Sequence, residues 1–278
     1  MKILSGTEIA DYVKANQARQ ARSLRARKIQ PKLVILRNSN SLVITKYVAL
    51  KQQYGQDIGV VVEDWLRDDL LAAIAEANAD SGTHGIIVQL PLKDTSQTDA
   101  ITSQIALAKD VDGLVTSSSL YHQTNNAETP IFESATATAI NWLLAGYDVK
   151  LDSQRIAIVG HGRLVGAPLE RMWRNSGYDV AVFRSHSDLQ ELRNYNVIVS
   201  ATGVPHLIKS EMISPGAVIV DAGTASEGGI LVGDVDDAVR ERKDISAITP
   251  KIGGVGPLTV TALFEHVLIA AENAQPNN

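Results

Sequence analysis

Residues 156–168 read IAIVGHGRLVGAP, an apolar run of four that passes directly into glycines at 160, 162 and 166. A short apolar run bounded by glycine is the signature of a buried strand, and the residues beyond the glycines have the composition of a helix. Strand, glycine turn and helix in this order form the setting of a dinucleotide-binding turn. Gly160, Gly162 and Gly166 let the backbone approach a pyrophosphate, and the helix N-terminus offers unpaired N–H groups and a positive dipole end. The spacing, G-x-G-x-x-x-G, is one residue longer than the usual fingerprint. A tight turn with no ligand has the same pattern.

The next strand, 179–183, ends in VFRSHS, so Arg184, Ser185 and His186 stand where an NAD enzyme carries the acid that holds the ribose 2′-hydroxyl. A guanidinium there can pair with a 2′-phosphate through two parallel bonds, with Arg163 inside the turn to assist. This predicts NADP as cofactor; a solvated surface arginine is the alternative. Thr202 and Gly203, closing the apolar stretch 197–203, complete the cofactor set.

Outward from this turn, strands and helices alternate along the chain. Before it come a helix at 6–27, a strand at 31–38, a helix at 42–57, a strand at 60–63 and a helix at 68–78. A strand at 84–92 broken at Pro91, a helix at 96–108, an aperiodic stretch at 115–133 and a helix at 134–146 come next. After the turn come a helix at 165–176, strands at 179–183, 197–203 and 217–223, and a last helix at 259–273. Alternation of this kind implies parallel βαβ units. The expected fold class is α/β in two domains. Residues 1–148 form an N-terminal α/β domain and 149–259 a Rossmann-like dinucleotide-binding domain. Residues 260–278 pack back on the first.

Bulk composition narrows the function. At 278 residues with 45% hydrophobic and 21% charged residues, the chain can build two cores unaided. There is no cysteine, which excludes disulfides and thiolate metal sites and agrees with a reducing cytoplasm; no metal is expected. The net charge is −5 with no Lys/Arg run, so the footprint of a nucleic-acid partner is missing. No apolar run has membrane-spanning length, and MKILSGTEIADYVK turns polar too soon for a secretory signal.

Three segments in the first half carry candidate chemistry. Tyr47 and Lys51 lie four apart and share a helix face. A lysine facing a cleft can exchange protons if burial lowers its pKa, although the same spacing serves a solvent-facing lysine. Gln89 interrupts the apolar strand IIVQLPL, where its amide must find a partner or cost about 1–3 kcal/mol. In KDVDG (109–113), Asp110 and Asp112 make either an ordinary turn or a carboxylate that accepts from an amino-heterocycle.

In this order, YVALK (47–51), GIIVQLPL (85–92), KDVDG (109–113), GHGRLVGAP (160–168), GDVD (233–236) and ITPKIGGVGPLT (248–259) resemble the bifunctional methylenetetrahydrofolate dehydrogenase/methenyltetrahydrofolate cyclohydrolase family, over about residues 5–272. The resemblance implies NADP-dependent oxidation of 5,10-methylenetetrahydrofolate followed by hydrolysis of the methenyl product to 10-formyltetrahydrofolate, in a cytoplasmic homodimer serving one-carbon metabolism and purine biosynthesis. It makes Lys51 the central catalytic residue. Tyr47 would stack on the pterin, Gln89 would hydrogen-bond Lys51 and help keep it partly neutral, and Asp112 would bind the pterin's amino edge. Gly253, Gly254 and Pro257 would line the site beside folate and nicotinamide. A monofunctional enzyme of the same fold and a non-catalytic folate- or nucleotide-binding protein are the competing readings.

The chain departs from the family pattern in four places. SATATA (134–139) replaces Pro-Cys-Thr-Pro-x-Gly, keeps Thr136 and should be more helical for losing two prolines and a glycine. His161-Gly162 stands where Arg-Ser is usual. PKIGG (250–254) replaces Pro-Val-Pro-Gly-Gly and introduces Lys251, and 115–126 lacks His-Pro-x-Asn.

Overall fold

A computed structural model describes residues 1–115, 132–223, 225–227 and 230–274. In chain order its elements begin with β1 (Lys2–Ile3), α1 (Gly6–Ala26), β2 (Lys32–Arg37), α2 (Leu42–Ile58), β3 (Val61–Leu66), α3 (Leu70–Ala79), β4 (Gly85–Val88) and α4 (Thr98–Thr102). They continue with α5 (Ala135–Gly146), β5 (Ile156–Val159), α6 (Gly166–Asn175), β6 (Val180–Phe183), β7 (Val197–Ser200) and β8 (Val218–Asp221). The last are β9 (Ala225–Glu227), β10 (Ile230–Val232), α7 (Asp237–Arg240), β11 (Ala247–Ile248) and α8 (Val255–Asn273). Chain packing divides these into two compact units, residues 1–11 with 136–259 and residues 12–135 with 260–278.

The unit of 12–135 and 260–278 is built on a three-stranded parallel sheet, β3-β2-β4. Four consecutive residues of β2, Leu33 to Leu36, are fully buried, which is why the strand reads as a continuous apolar run. Val34 and Leu36 of β2 with Ile86 and Val88 of β4 meet Leu70, Ala73, Ile74 and Ala77 of α3 on one face. Elsewhere in the unit, Tyr54 of α2 stacks on Phe264 of α8 with ring centroids 5.0 Å apart. Its hydroxyl donates to Gln17 of α1 at 2.8 Å.

The other unit carries a six-stranded sheet in the order β1-β11-β8-β7-β5-β6, parallel throughout. β5 has β6 on one side and β7 on the other, so the strand order reverses at β5. Open α/β sheets bind ligands beyond the strand C-termini at such a switch point. The core beneath includes Ala157, Val159, Ile198, Ile219 and Ile248 of the sheet with Val239 of α7.

Several expectations are corrected. β3 runs on to Leu66, past the predicted end at 63, because Glu63 and Asp64 do not break the strand. They pair with Lys32 at 3.3 Å and with Arg37 at 2.7 Å on neighbouring β2. The predicted helix 96–108 is three short pieces, a 3-10 turn at Thr95–Gln97, α4, and a second 3-10 turn at Leu107–Lys109. The last helix starts at Val255, four residues early, and holds Pro257 in its first turn, where the missing N–H costs nothing. β4 ends at Val88, before the cis Leu90–Pro91 bond.

The packing bounds also differ from those drawn on the sequence. β1 pairs with β11, and Trp173 of α6 donates to Asn141 of α5 at 2.6 Å, so residues 1–11 and 136–148 belong with the unit of the six-stranded sheet. α5 begins at Ala135, so the segment replacing the Pro-rich motif is helical. The stretch read as aperiodic lies largely outside the described residues, at 116–131. By length and composition α8 would reach across a membrane, but most of it is buried within the protein as a core helix.

Candidate active site

In the unit of 12–135 and 260–278, α2 starts at an N-cap formed by Ser41, whose hydroxyl accepts from the Ile44 N–H at 3.4 Å. Just ahead of the cap, Arg37 grips Asp64 through two bonds of 2.7 and 2.8 Å and donates to the Ser39 carbonyl at 3.0 Å, tying down the loop that leads into the helix. Tyr47 and Lys51 then fall one turn apart, with the Lys51 ammonium 5.9 Å from the Tyr47 ring centroid.

Gln89 comes directly after β4. Its backbone N–H extends the ladder to the Leu36 carbonyl at 2.8 Å. Its side-chain oxygen accepts from Lys51 Nζ at 3.0 Å and its amide nitrogen donates to the Leu90 carbonyl at 3.1 Å. The amide is therefore used at both ends, and its orientation is fixed: only the oxygen can face an ammonium.

The two carboxylates of KDVDG have separate tasks. Asp110 is buried and accepts from the Leu114 and Val115 N–H groups at 3.0 and 2.8 Å, so it builds the turn. Gly113 takes φ +68° there, and a β-carbon on it would sit 2.6 Å from the Glu133 carbonyl carbon. His266 of α8, buried and stacked on Phe132 at 4.9 Å, holds the Val111 carbonyl with Nδ1 at 2.8 Å. Asp112 is what this scaffold presents beside Lys51. Burial pushes its carboxyl up to about 7, with Asp110 adding to the shift and Lys51 opposing it. Burial likewise lowers Lys51 below the usual lysine value, against the attraction of Asp112. A lysine with a lowered pKa beside a carboxyl with a raised one is equipped to take up and return a proton.

In the other unit, the glycine turn lies between β5 and α6 as expected. Gly160 has φ +93°, and a β-carbon there would lie 2.6 Å from the Ala201 carbonyl. Gly166 opens α6 so close to the turn that its β-carbon would meet the Gly160 carbonyl at 2.1 Å. Around Gly162 there is open space, where a pyrophosphate could approach the backbone at the helix N-terminus. His161 Nε2 lies 2.6 Å from Glu170 Oε2 of α6, a contact that the sequence pattern does not reveal. Arg163 is half-buried within the turn. Arg184 and Ser185 are exposed just past the end of β6. Thr202 and Gly203 lie just beyond β7, and Gly203 has φ +70°.

Gly253, Gly254 and Pro257 lie in the same unit, at the start of α8. The Gly253 carbonyl accepts from the N–H groups of Gly6 and Thr7 at 2.8 and 3.2 Å, satisfying donors in the first turn of α1. Lys251, introduced where the family pattern has no lysine, is exposed and pairs with Asp237 at 2.9 Å. Of the predicted residues, those around Lys51 form one group and those beyond the C-terminal ends of β5, β6 and β7 a second; Gly253, Gly254 and Pro257 belong to neither and lie at the start of α8. The turn role weighed for the KDVDG aspartates falls to Asp110, while the contributions of Arg37, Glu170 and His266 were not foreseen.

Fold and site together define an α/β enzyme with a nucleotide-type turn in one unit and a half-buried lysine beside a perturbed carboxyl in the other. The family model "Tetrahydrofolate dehydrogenase/cyclohydrolase, catalytic domain" matches residues 4–112, and "Tetrahydrofolate dehydrogenase/cyclohydrolase, NAD(P)-binding domain" matches 134–275. The chain is 33% identical over 285 residues to the Bifunctional protein FolD of Macrococcus caseolyticus, covering 99% of each. Among solved structures it is similar to the FolD methylenetetrahydrofolate dehydrogenase/cyclohydrolase of Campylobacter jejuni, with TM-score 0.90, 30% identity and coverage of 99% and 100%. It is also similar to the Trypanosoma brucei methylenetetrahydrofolate dehydrogenase-cyclohydrolase complexed with NADP and an inhibitor, with TM-score 0.84, 28% identity and 97% of each chain covered. The chain belongs to the tetrahydrofolate dehydrogenase/cyclohydrolase family.

Proposed function

We propose that this enzyme oxidises 5,10-methylenetetrahydrofolate with NADP⁺ and hydrolyses the resulting methenyl cation to 10-formyltetrahydrofolate. The observation that carries this reading is the Lys51–Gln89 hydrogen bond of 3.0 Å with Asp112 beside it, the lysine lowered and the carboxyl raised. When bound, the dinucleotide supplies the hydride acceptor, C4 of its nicotinamide, so that the one-carbon bridge is left as a cationic methenyl carbon. Water then adds to that carbon, and Lys51 in its neutral form takes up a proton as the C–O bond forms. The protonated lysine returns a proton when the ring C–N bond opens. Tyr47 stacks on the pterin, and Asp112 accepts from its amino edge. Gly253, Gly254 and Pro257 border the folate and nicotinamide.

The open backbone at Gly162 and the start of α6 suit a pyrophosphate. Arg184, exposed past β6 and assisted by Arg163, suits a 2′-phosphate, which favours NADP over NAD. Ser185, Thr202 and Gly203 border the same site. The neighbouring structure with NADP supports this cofactor. The enzyme acts as a cytoplasmic homodimer on a small folate, without nucleic-acid or membrane partners. Purified protein given methylenetetrahydrofolate and NADP⁺ is expected to produce the absorbance of reduced nicotinamide, and methenyltetrahydrofolate alone is expected to be hydrolysed. Absence of turnover with both NADP⁺ and NAD⁺ would contradict the reading.

A further inference from the structure

The GDVD segment (233–236) belongs to neither group of candidate residues, yet its first aspartate, Asp234, is fully buried. One carboxylate oxygen, Oδ2, accepts from the Ser200 hydroxyl and from the Thr202 N–H, both at 2.7 Å. These donors are the last residue of β7 and the second residue beyond it.

Asp221, the last residue of β8, serves the GDVD segment in the same way. Its Oδ1 accepts from the Asp234 N–H at 3.0 Å and its Oδ2 from the Val235 N–H at 3.1 Å. Arg240 of α7 closes the chain, donating to Asp221 Oδ2 at 2.6 Å and to the Thr249 carbonyl beyond β11. The Thr249 hydroxyl in turn accepts from the Asp221 N–H at 2.9 Å. Loops beyond three neighbouring strands are thus locked to one another through two carboxylates and one guanidinium.

The packing is built around this lock. A β-carbon on Gly223 would lie 1.9 Å from Asp234 Oδ1, and one on Gly233 would lie 2.1 Å from Asp221 Oδ2. Asp234 Oδ1 itself is buried with no hydrogen-bond partner among the described residues. Leaving a polar atom in that state is unfavourable, so packing economy does not explain the residue. Its bonded oxygen is committed to the backbone that leads into Thr202 and Gly203.

We propose that Asp234 is a positioning residue for the dinucleotide, fixing the Thr202–Gly203 loop through Ser200 and the Thr202 N–H. The proposal rests on the assignment of that loop to the cofactor site. Asp234→Asn keeps the side chain's shape but leaves one amide to do the work of a charged acceptor.

The two reactions supply an internal control, because hydrolysis of methenyltetrahydrofolate needs no dinucleotide. In the full-length enzyme, Asp234→Asn is expected to raise the KM for NADP⁺ and the Kd for NADPH, read by nucleotide fluorescence, by about tenfold or more. At least half the hydrolysis rate is expected to remain. Ser200→Ala, which removes one of the two bonds, is expected to give a smaller shift in the same direction and carries the test if Asp234→Asn does not fold. Unchanged dinucleotide affinity in both variants, or equal loss of hydrolysis and hydride transfer, would overturn the proposal. Wild-type enzyme inactive with both dinucleotides would instead defeat the underlying functional reading.

Discussion

Lys51 and Gln89 meet at 3.0 Å from two different elements, a helix and the end of a strand, with the amide's other end tied to the Leu90 backbone. The lysine is therefore held by an acceptor that carries no charge. Burial works against the ammonium, and a neutral amide only partly offsets that penalty.

Replacing the amide by a carboxylate tests this balance. Gln89→Glu places a negative charge against Nζ, which favours the ammonium and raises the pKa of Lys51. Hydrolysis near pH 7 is expected to fall by at least about tenfold, since one unit of pKa already changes the neutral fraction by that factor. The alkaline shift of the pH–rate profile is the diagnostic reading. A profile superimposable on wild type would show that Gln89 does not set the protonation of Lys51.

Asp112 makes a separate prediction about stability. Its carboxyl titrates at about 7 in the folded chain, against 3.8 as the ordinary value. Between those values the folded state holds a proton that the unfolded state has released, so this group costs stability as pH rises through the window. Asp112→Asn cannot titrate. It is expected to be more stable than wild type above pH 7, by up to about 4 kcal/mol, and no more stable near pH 4. Thermal denaturation across that range measures the difference. The same variant is expected to raise the KM for the folate, because an amide cannot serve as acceptor alone.

Arg184 decides between cofactors. It is exposed beyond β6, so its removal should leave the fold intact. Arg184→Ala is expected to raise the KM for NADP⁺ by about tenfold or more, the worth of a charge-assisted pair, with little change for NAD⁺. Equal effects on both would remove this residue from the 2′-phosphate site.

Much of this architecture was legible in the sequence, for a physical reason. The parallel strands β2, β4, β5 and β7 are buried on both faces, so each appears as an unbroken apolar run. The glycine turn announced itself because steric contact leaves no alternative at Gly160. What could not be read was cooperation between distant segments. β1 and β11 have two residues each, too few to show a period, and only the pairing of β11 with β8 and of β1 with β11 makes them strands. The charges in β3 looked like a strand end until Lys32 and Arg37 supplied partners. At the site, KDVDG left two aspartates equivalent on paper; the turn consumes Asp110 and leaves Asp112 facing Lys51. Asp221 at the end of an apolar strand was the one visible hint of the carboxylate lock, since a charge so placed must be paired. His266 gave no sign at all, being a single histidine next to Glu265 in a largely apolar helix.

The most direct test of the account is hydrolysis of methenyltetrahydrofolate by Lys51→Ala, a reaction free of any dinucleotide. The account predicts a folded protein that still binds NADPH and has lost hydrolysis to the uncatalysed rate. A variant that hydrolyses at close to the wild-type rate would contradict it.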